Sequence, residues 1–261
     1  MEKITLNETA FLEYYPLEKI YDGVPKPVML IFPGGGYMDL ADHEAYPIAN
    51  AARAAGMHAC ILRYTILTER LYDFEDLFEE ITQALDFLDS RAEEDSLDMS
   101  RVTVLGFSAG GHLAAWASNR FSDRLKRAVL CYPAAKLDFT EQMKMTEEEA
   151  EAYSAEHNMP IEVLEKVAEF FMRWPDAEIH DGTVPTFIFH SFDDTVCPVQ
   201  GTIDYYSALV AAGIPSALHV FTTGGHGKSL GTSVTRWEED TEYPELQAWW
   251  PMLLDWLKLE I

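Results

Sequence analysis

The stretch that most constrains this chain is Val102-Thr103-Val104-Leu105-Gly106-Phe107-Ser108-Ala109-Gly110-Gly111-His112-Leu113-Ala114-Ala115. Its first half is β-branched and apolar, as expected of a strand buried on both faces. Its second half, continued by Trp116 and Ala117, reads as a buried helix. Between them lies Gly106-Phe107-Ser108-Ala109-Gly110, a G-x-S-x-G pattern in strand–turn–helix context. The flanking glycines remove Cβ atoms where strand and helix must pass closely, so the turn can be sharp. Such a turn holds the Ser108 hydroxyl out at the end of the sheet, with a helix N-terminus behind it. The backbone N–H of Ala109 then points where an oxyanion would form. The pattern alone is weak, because a plain tight turn can carry it. Its context favours catalysis.

The rest of the chain alternates between short apolar runs and helical periodicity. An N-terminal edge hairpin or extended segment is expected around Ala10–Leu17. Val28–Phe32, Met57–Tyr64, Ala128–Pro133, Val184–His190 and Ser216–Phe221 read as strands. Helices are expected over Glu44–Ala55, Phe74–Ser90, Val199–Ala212 and Leu246–Leu257, and the polar residues Arg91–Arg101 read as a loop. This rhythm predicts an α/β fold with a mostly parallel sheet, flanking helices and right-handed crossovers. The length of 261 residues fits one large α/β domain over 1–261. Only residues 136–182 break the alternation. They read as a small helical lid above the strand ends, where ligands bind in open α/β sheets. An acidic surface excursion is the competing view. The run Glu147-Glu148-Glu149 offers no apolar trough for a long acyl chain.

Val28–Phe32 runs straight into Pro33-Gly34-Gly35-Gly36-Tyr37. Consecutive glycines after a central strand let backbone N–H groups approach a ligand closely. Gly34 or Gly35 is therefore a candidate second oxyanion donor beside Ala109. A phosphate loop would need a following Gly-Lys-Ser/Thr, which is absent. Asp194 follows one strand and His226 another, on loops expected at the same sheet edge as Ser108. Imidazole suits the removal of a serine proton near neutral pH, and a carboxylate orients the imidazole. Ser108, Asp194 and His226 are thus the candidate nucleophile, acid and base. His112 and His190 read as structural supports. A metal site from His190, Asp193 and His226 lacks a characteristic ligand spacing.

The net charge of −25 argues against a nucleic-acid partner, which needs clustered Lys and Arg, and against anionic membranes. The first residues lack a signal-peptide pattern, and no apolar run has transmembrane length. Cys60, Cys131 and Cys197 read as buried free thiols. These features suit a cytoplasmic protein. A homo-oligomer is neither required nor excluded.

The four motifs Pro33–Tyr37, Gly106–His112, His190–Pro198 and Gly224–Gly227 resemble those of the α/β-hydrolase superfamily. The sequence is most similar to bacterial esterases of the acetyl-xylan-esterase-like and feruloyl-esterase-like kind. That resemblance implies an α/β-hydrolase fold, a Ser108–Asp194–His226 triad and no cofactor. It also implies a serine esterase removing a short acyl group, acetyl in the first instance, from a carbohydrate or similar small ester. Its usual acid-to-proline spacing selects Asp194 over Asp193, with Cys197-Pro198 in place of Val-Pro. A peptidase or amidase of the same superfamily and a non-catalytic binding protein on this scaffold are the alternatives. Arg63, Lys136, Arg173, Lys228 and Arg236 are the cations that would line a site for an anionic substrate.

Overall fold

The computed structural model describes residues 1–140, 146–235 and 242–261. Eight strands form one sheet: β1 (Glu2–Thr5), β2 (Phe11–Tyr15), β3 (Lys26–Phe32), β4 (His58–Arg63), β5 (Leu97–Phe107), β6 (Arg127–Cys131), β7 (Thr186–Ser191) and β8 (Ser216–Phe221). Their spatial order is β1-β2-β4-β3-β5-β6-β7-β8. The β1–β2 hairpin runs antiparallel and adds to β4, while β4, β3, β5, β6, β7 and β8 are mutually parallel. The C-terminal ends of β3, β5, β6, β7 and β8 therefore share one edge. This is the α/β-hydrolase fold.

The central strands are uninterrupted apolar runs because both faces are covered. On one face lie α2 (Phe74–Asp95), α3 (Ala109–Arg120) and α6 (Val199–Ala211). On the other lie α1 (Tyr46–Ala54) and α7 (Trp249–Trp256), where Trp249 stacks on Phe189 with ring centroids 4.5 Å apart. Among the described residues no helix is long and apolar enough to cross a membrane. All three cysteines are buried and unbonded to one another.

Two boundaries differ from the sequence expectation. The segment read as a loop from Arg91 to Arg101 is instead the last turn of α2 and the start of β5. The helix is prolonged because Arg91 reaches Asp95 one turn on, at 2.8 Å, and Tyr14 donates to the same carboxylate. It stops at Ser96, in a left-handed conformation (φ 57°), and β5 begins at once. The excursion after β6 carries α4 (Glu147–His157), α5 (Ile161–Phe171) and a 3-10 turn at Pro175–Glu178. Thr146 and Glu149 form a reciprocal capping box that starts α4. Part of the expected lid, residues 141–145, lies outside the described residues.

Candidate active site

The turn between β5 and α3 has the strained backbone that its glycines permit. Ser108 sits at φ 51°, ψ −115°, an unfavourable region for a residue with a side chain. A Cβ on Gly106 would come within 2.0 Å of the Gly110 carbonyl oxygen, and one on Gly110 within 2.1 Å of the Phe32 oxygen. Only glycine fits either position. The strain is held by three backbone bonds: Ser108 N–H to Cys131, and the Ser108 carbonyl accepting from His112 and Ala134.

At this elbow the structure brings together residues 118 and 32 positions apart. His226 Nε2 lies 2.8 Å from Ser108 Oγ, and His226 Nδ1 lies 2.7 Å from Asp194 Oδ2. Asp194 is buried, and its Oδ1 accepts the N–H groups of Val196 and Cys197, each at 2.9 Å. Asp193 points elsewhere and accepts the Gly225 N–H at 2.8 Å. Burial of Asp194 opposes its charge, yet hydrogen bonds from His190, His226 and the Cys197 N–H hold its carboxyl well below the usual carboxylate range. Burial works against a charged His226 as well. The Asp194 hydrogen bond and charge outweigh it and raise the imidazole above its ordinary value.

His190 is fully buried behind Asp194. Its Nε2 donates to the Cys197 carbonyl at 2.7 Å and lies 3.1 Å from Asp194 Oδ2, while Thr202 holds Nδ1. His112 accepts from the Tyr37 hydroxyl and donates to the Arg173 carbonyl, tying α3 to the chain after α5. Burial lowers its pKa to about 4, so it remains neutral near pH 7. Among the described residues no cluster of His, Cys, Asp and Glu could hold a metal ion.

The glycine loop divides its donors. Gly34 gives its N–H to the Glu44 carboxylate at 2.8 Å, so that N–H is not aimed at the front of Ser108. The N–H groups of Gly35 and Ala109 meet no acceptor among the described residues. Of the three sequence candidates, these two have free donors. Glu44 carries no motif that marks it in the sequence, yet its carboxylate is buried against the Gly34 N–H of the glycine loop.

A cavity of about 940 Å³ opens in front of Ser108 and His226. Its wall includes Met38, Phe139, Met159, Leu164, Phe171 and Val196. The expectation of no apolar trough is corrected here. The acidic start of α4 is exposed at Glu148 and Glu149, and the apolar wall comes from α5 and its approaches. Of the cations considered from sequence, Arg63 pairs with Glu13 and Asp42, Lys136 with Asp176, and Arg173 with Glu75, all away from the cavity. Lys228 lies over the Tyr243 ring, and Arg236 is outside the described residues. Among the described residues, Lys166 is the one Lys or Arg lining the cavity, held by Asp73 at 2.8 Å and Glu169 at 2.9 Å.

Comparison with known proteins agrees with this architecture. The sequence profile of the prolyl oligopeptidase family matches residues 75–251. Endo-1,4-beta-xylanase B of Butyrivibrio fibrisolvens is 27% identical over 223 residues, 80% of this chain and 33% of that protein. Acetylxylan esterase of Xylanibacter ruminicola is 27% identical over 207 residues, 77% of this chain and 40% of that protein. The chain thus spans a third to two fifths of the length of these curated relatives. A sugar hydrolase (YeeB) from Lactococcus lactis superposes with a TM-score of 0.81 at 28% identity, covering 98% of this chain and 96% of that one.

Proposed function

The chain belongs to the prolyl oligopeptidase family of α/β-hydrolases, and on that premise we propose that it is a serine esterase releasing a short acyl group from an acylated carbohydrate. One observation carries this reading: the unbroken hydrogen-bonded series Asp194–His226–Ser108 at a strained elbow. Ser108 Oγ attacks the ester carbonyl while His226 Nε2 takes its proton. Asp194 orients the ring through Nδ1 and stabilises the imidazolium. The N–H groups of Gly35 and Ala109 receive the negative oxygen of the tetrahedral intermediate. His226 returns the proton to the departing sugar alcohol, leaving an acyl-Ser108. Water, deprotonated by His226, then frees the carboxylic acid and restores the serine.

The relative named acetylxylan esterase supports a sugar ester as substrate, with acetyl as its acyl group, and the one named endo-1,4-beta-xylanase supports a xylan-type carbohydrate. The cavity then holds the sugar side of the ester, with the half-buried Phe139 on its wall offering an aromatic surface to the sugar. Peptide amides are the second reading, favoured by the family match itself. A side-by-side assay of acetylated xylo-oligosaccharides, p-nitrophenyl acetate through octanoate, and peptide p-nitroanilides tests both. The highest kcat/KM is expected on the acetylated oligosaccharide, with a flat or falling series with acyl length. A dominant rate on peptide anilides would install the second reading. A steep rise toward octanoate would place the acyl group in the cavity and contradict the sugar-side assignment.

A further inference from the structure

Glu44 is a buried carboxylate that the steps above do not use. It is 2% exposed, and its two oxygens serve different halves of the site. Oε2 accepts the Gly34 N–H at 2.8 Å, and Oε1 accepts the Tyr132 hydroxyl at 2.6 Å. Both are acceptor contacts, which a carboxylate makes with no proton of its own to place. Burial holds the Glu44 carboxyl above its ordinary value, against the partial pull of the Tyr132 hydrogen bond, His43, the Gly34 N–H and His226.

The partners lie on either side of the chemistry. A Cβ on Gly34 would sit 2.6 Å from Glu44 Oε2 and 3.0 Å from Ser108 Cβ, so the carboxylate and the nucleophile border the same narrow space beside Gly34. Gly34 immediately precedes Gly35, the proposed oxyanion donor. Tyr132, at the end of β6, is held at φ 36°, and its ring meets His226 edge-on with centroids 5.1 Å apart. Its hydroxyl also accepts the Ser229 N–H at 2.9 Å. Ser229 Oγ donates to the His43 carbonyl at 2.8 Å, and His43 Nε2 lies 2.9 Å from the Gly227 carbonyl oxygen. Residues 43 and 44 are thereby joined to the loop that carries His226.

We propose that Glu44 is a positioning residue: it fixes the Gly35 oxyanion donor and the His226 ring through Gly34 and Tyr132, and its charge favours the imidazolium formed when Ser108 gives up its proton. This rests on the serine-esterase reading. The titratable groups that face His226 are Asp194 after β7, Cys197 before α6, Tyr132 after β6, and His43 with Glu44 before α1. Asp194 and Glu44 are the carboxyl groups among them. Attraction between Glu44 and the imidazolium is mutual, so losing one charge lowers the pKa of the other group.

Glu44→Gln keeps an acceptor for Gly34 and removes the charge. NMR titration of the imidazole resonances, with His226 assigned by its loss in His226→Gln, needs no turnover. The His226 midpoint in Glu44→Gln is expected to fall by about half a unit or more. With p-nitrophenyl acetate, kcat should fall about tenfold with KM within about twofold, and the acid limb should shift to lower pH with the midpoint. A folded Glu44→Gln protein with an unmoved midpoint and kcat within about twofold of wild type overturns the proposal. Should that variant not fold, Glu44→Asp keeps the charge but withdraws it by one methylene. Its His226 midpoint should stay in place while kcat falls, and an unchanged kcat overturns the positioning role. A wild-type protein that cleaves no ester, with the midpoint shift intact, counts against the esterase reading alone and leaves the electrostatic coupling supported.

Discussion

Asp193 and Asp194 are neighbours in the chain with opposite surroundings. Asp194 faces His226 and His190, whereas Asp193 faces a backbone N–H that an amide oxygen could serve equally well. Asp194→Asn should therefore lower kcat on p-nitrophenyl acetate by about 10⁴, the loss expected when a triad acid is neutralised. Asp193→Asn should cost no more than about tenfold, since it keeps an oxygen acceptor for Gly225. The pH profile gives the sign independently. His226 accepts the serine proton only when neutral, and the Asp194 charge raises its pKa. Activity should thus climb with pH through a midpoint above the ordinary histidine value of about 6.5. The residual activity of Asp194→Asn should have its acid limb at lower pH. Equal losses in the two variants would mean that the wrong carboxylate has been placed beside the base. The convergence of Ser108, Asp194 and His226 was legible because each follows a strand, buried for β5 and β7 and half-buried for the edge strand β8, and parallel strands deliver their ends to one edge. Glu44 was not. Its partners lie 10 and 88 residues away, and in one dimension it is only the start of a helix.

Among the elements, α5 is the one whose packing its sequence conceals most. Its mixture of charge and aromatics reads as partly exposed, yet Phe170 and Phe171 are buried against Tyr37, and Phe170 also against Phe74. No periodicity count can reveal that the glycine loop supplies the opposing wall. The charged face does remain at the surface, where Lys166 reaches Asp73 and Glu169. This arrangement makes α5 a wall of the cavity with a half-buried rim. Leu164, on that rim, gives the cleanest test because its own packing is incomplete. Leu164→Ala should raise KM for p-nitrophenyl acetate, whose nitrophenyl group takes the sugar's place in the cavity, about fivefold, the equivalent of about 1 kcal/mol of lost apolar contact, with kcat nearly unchanged. Steady-state kinetics read this directly. An unchanged KM would show that substrate does not reach α5. The short-loop rhythm of the remaining elements was easier to read, since a strand buried on both faces admits little but apolar residues.

For the whole molecule, the alternation of strands and helices was enough to anticipate a parallel sheet, and composition was enough to set the sign of its field. With 44 acidic and 19 basic residues, the surface is strongly negative, and the cations named from sequence are for the most part spent on acidic partners. Neither property identifies an activity. That depends on three side chains, drawn from loops after β5, β7 and β8, meeting at one point, and the sheet order alone allows it. The central claim is therefore that Ser108 is a nucleophile activated by His226. A fluorophosphonate probe tests it most directly, because the probe forms a covalent bond only with an activated hydroxyl. Intact-protein and peptide mass spectrometry should find one equivalent of label on Ser108 in the wild type, and none at that position in Ser108→Ala. Labelling of His226→Ala should be strongly slowed. Equal labelling of wild type and Ser108→Ala, or an unlabelled wild type, would contradict the account.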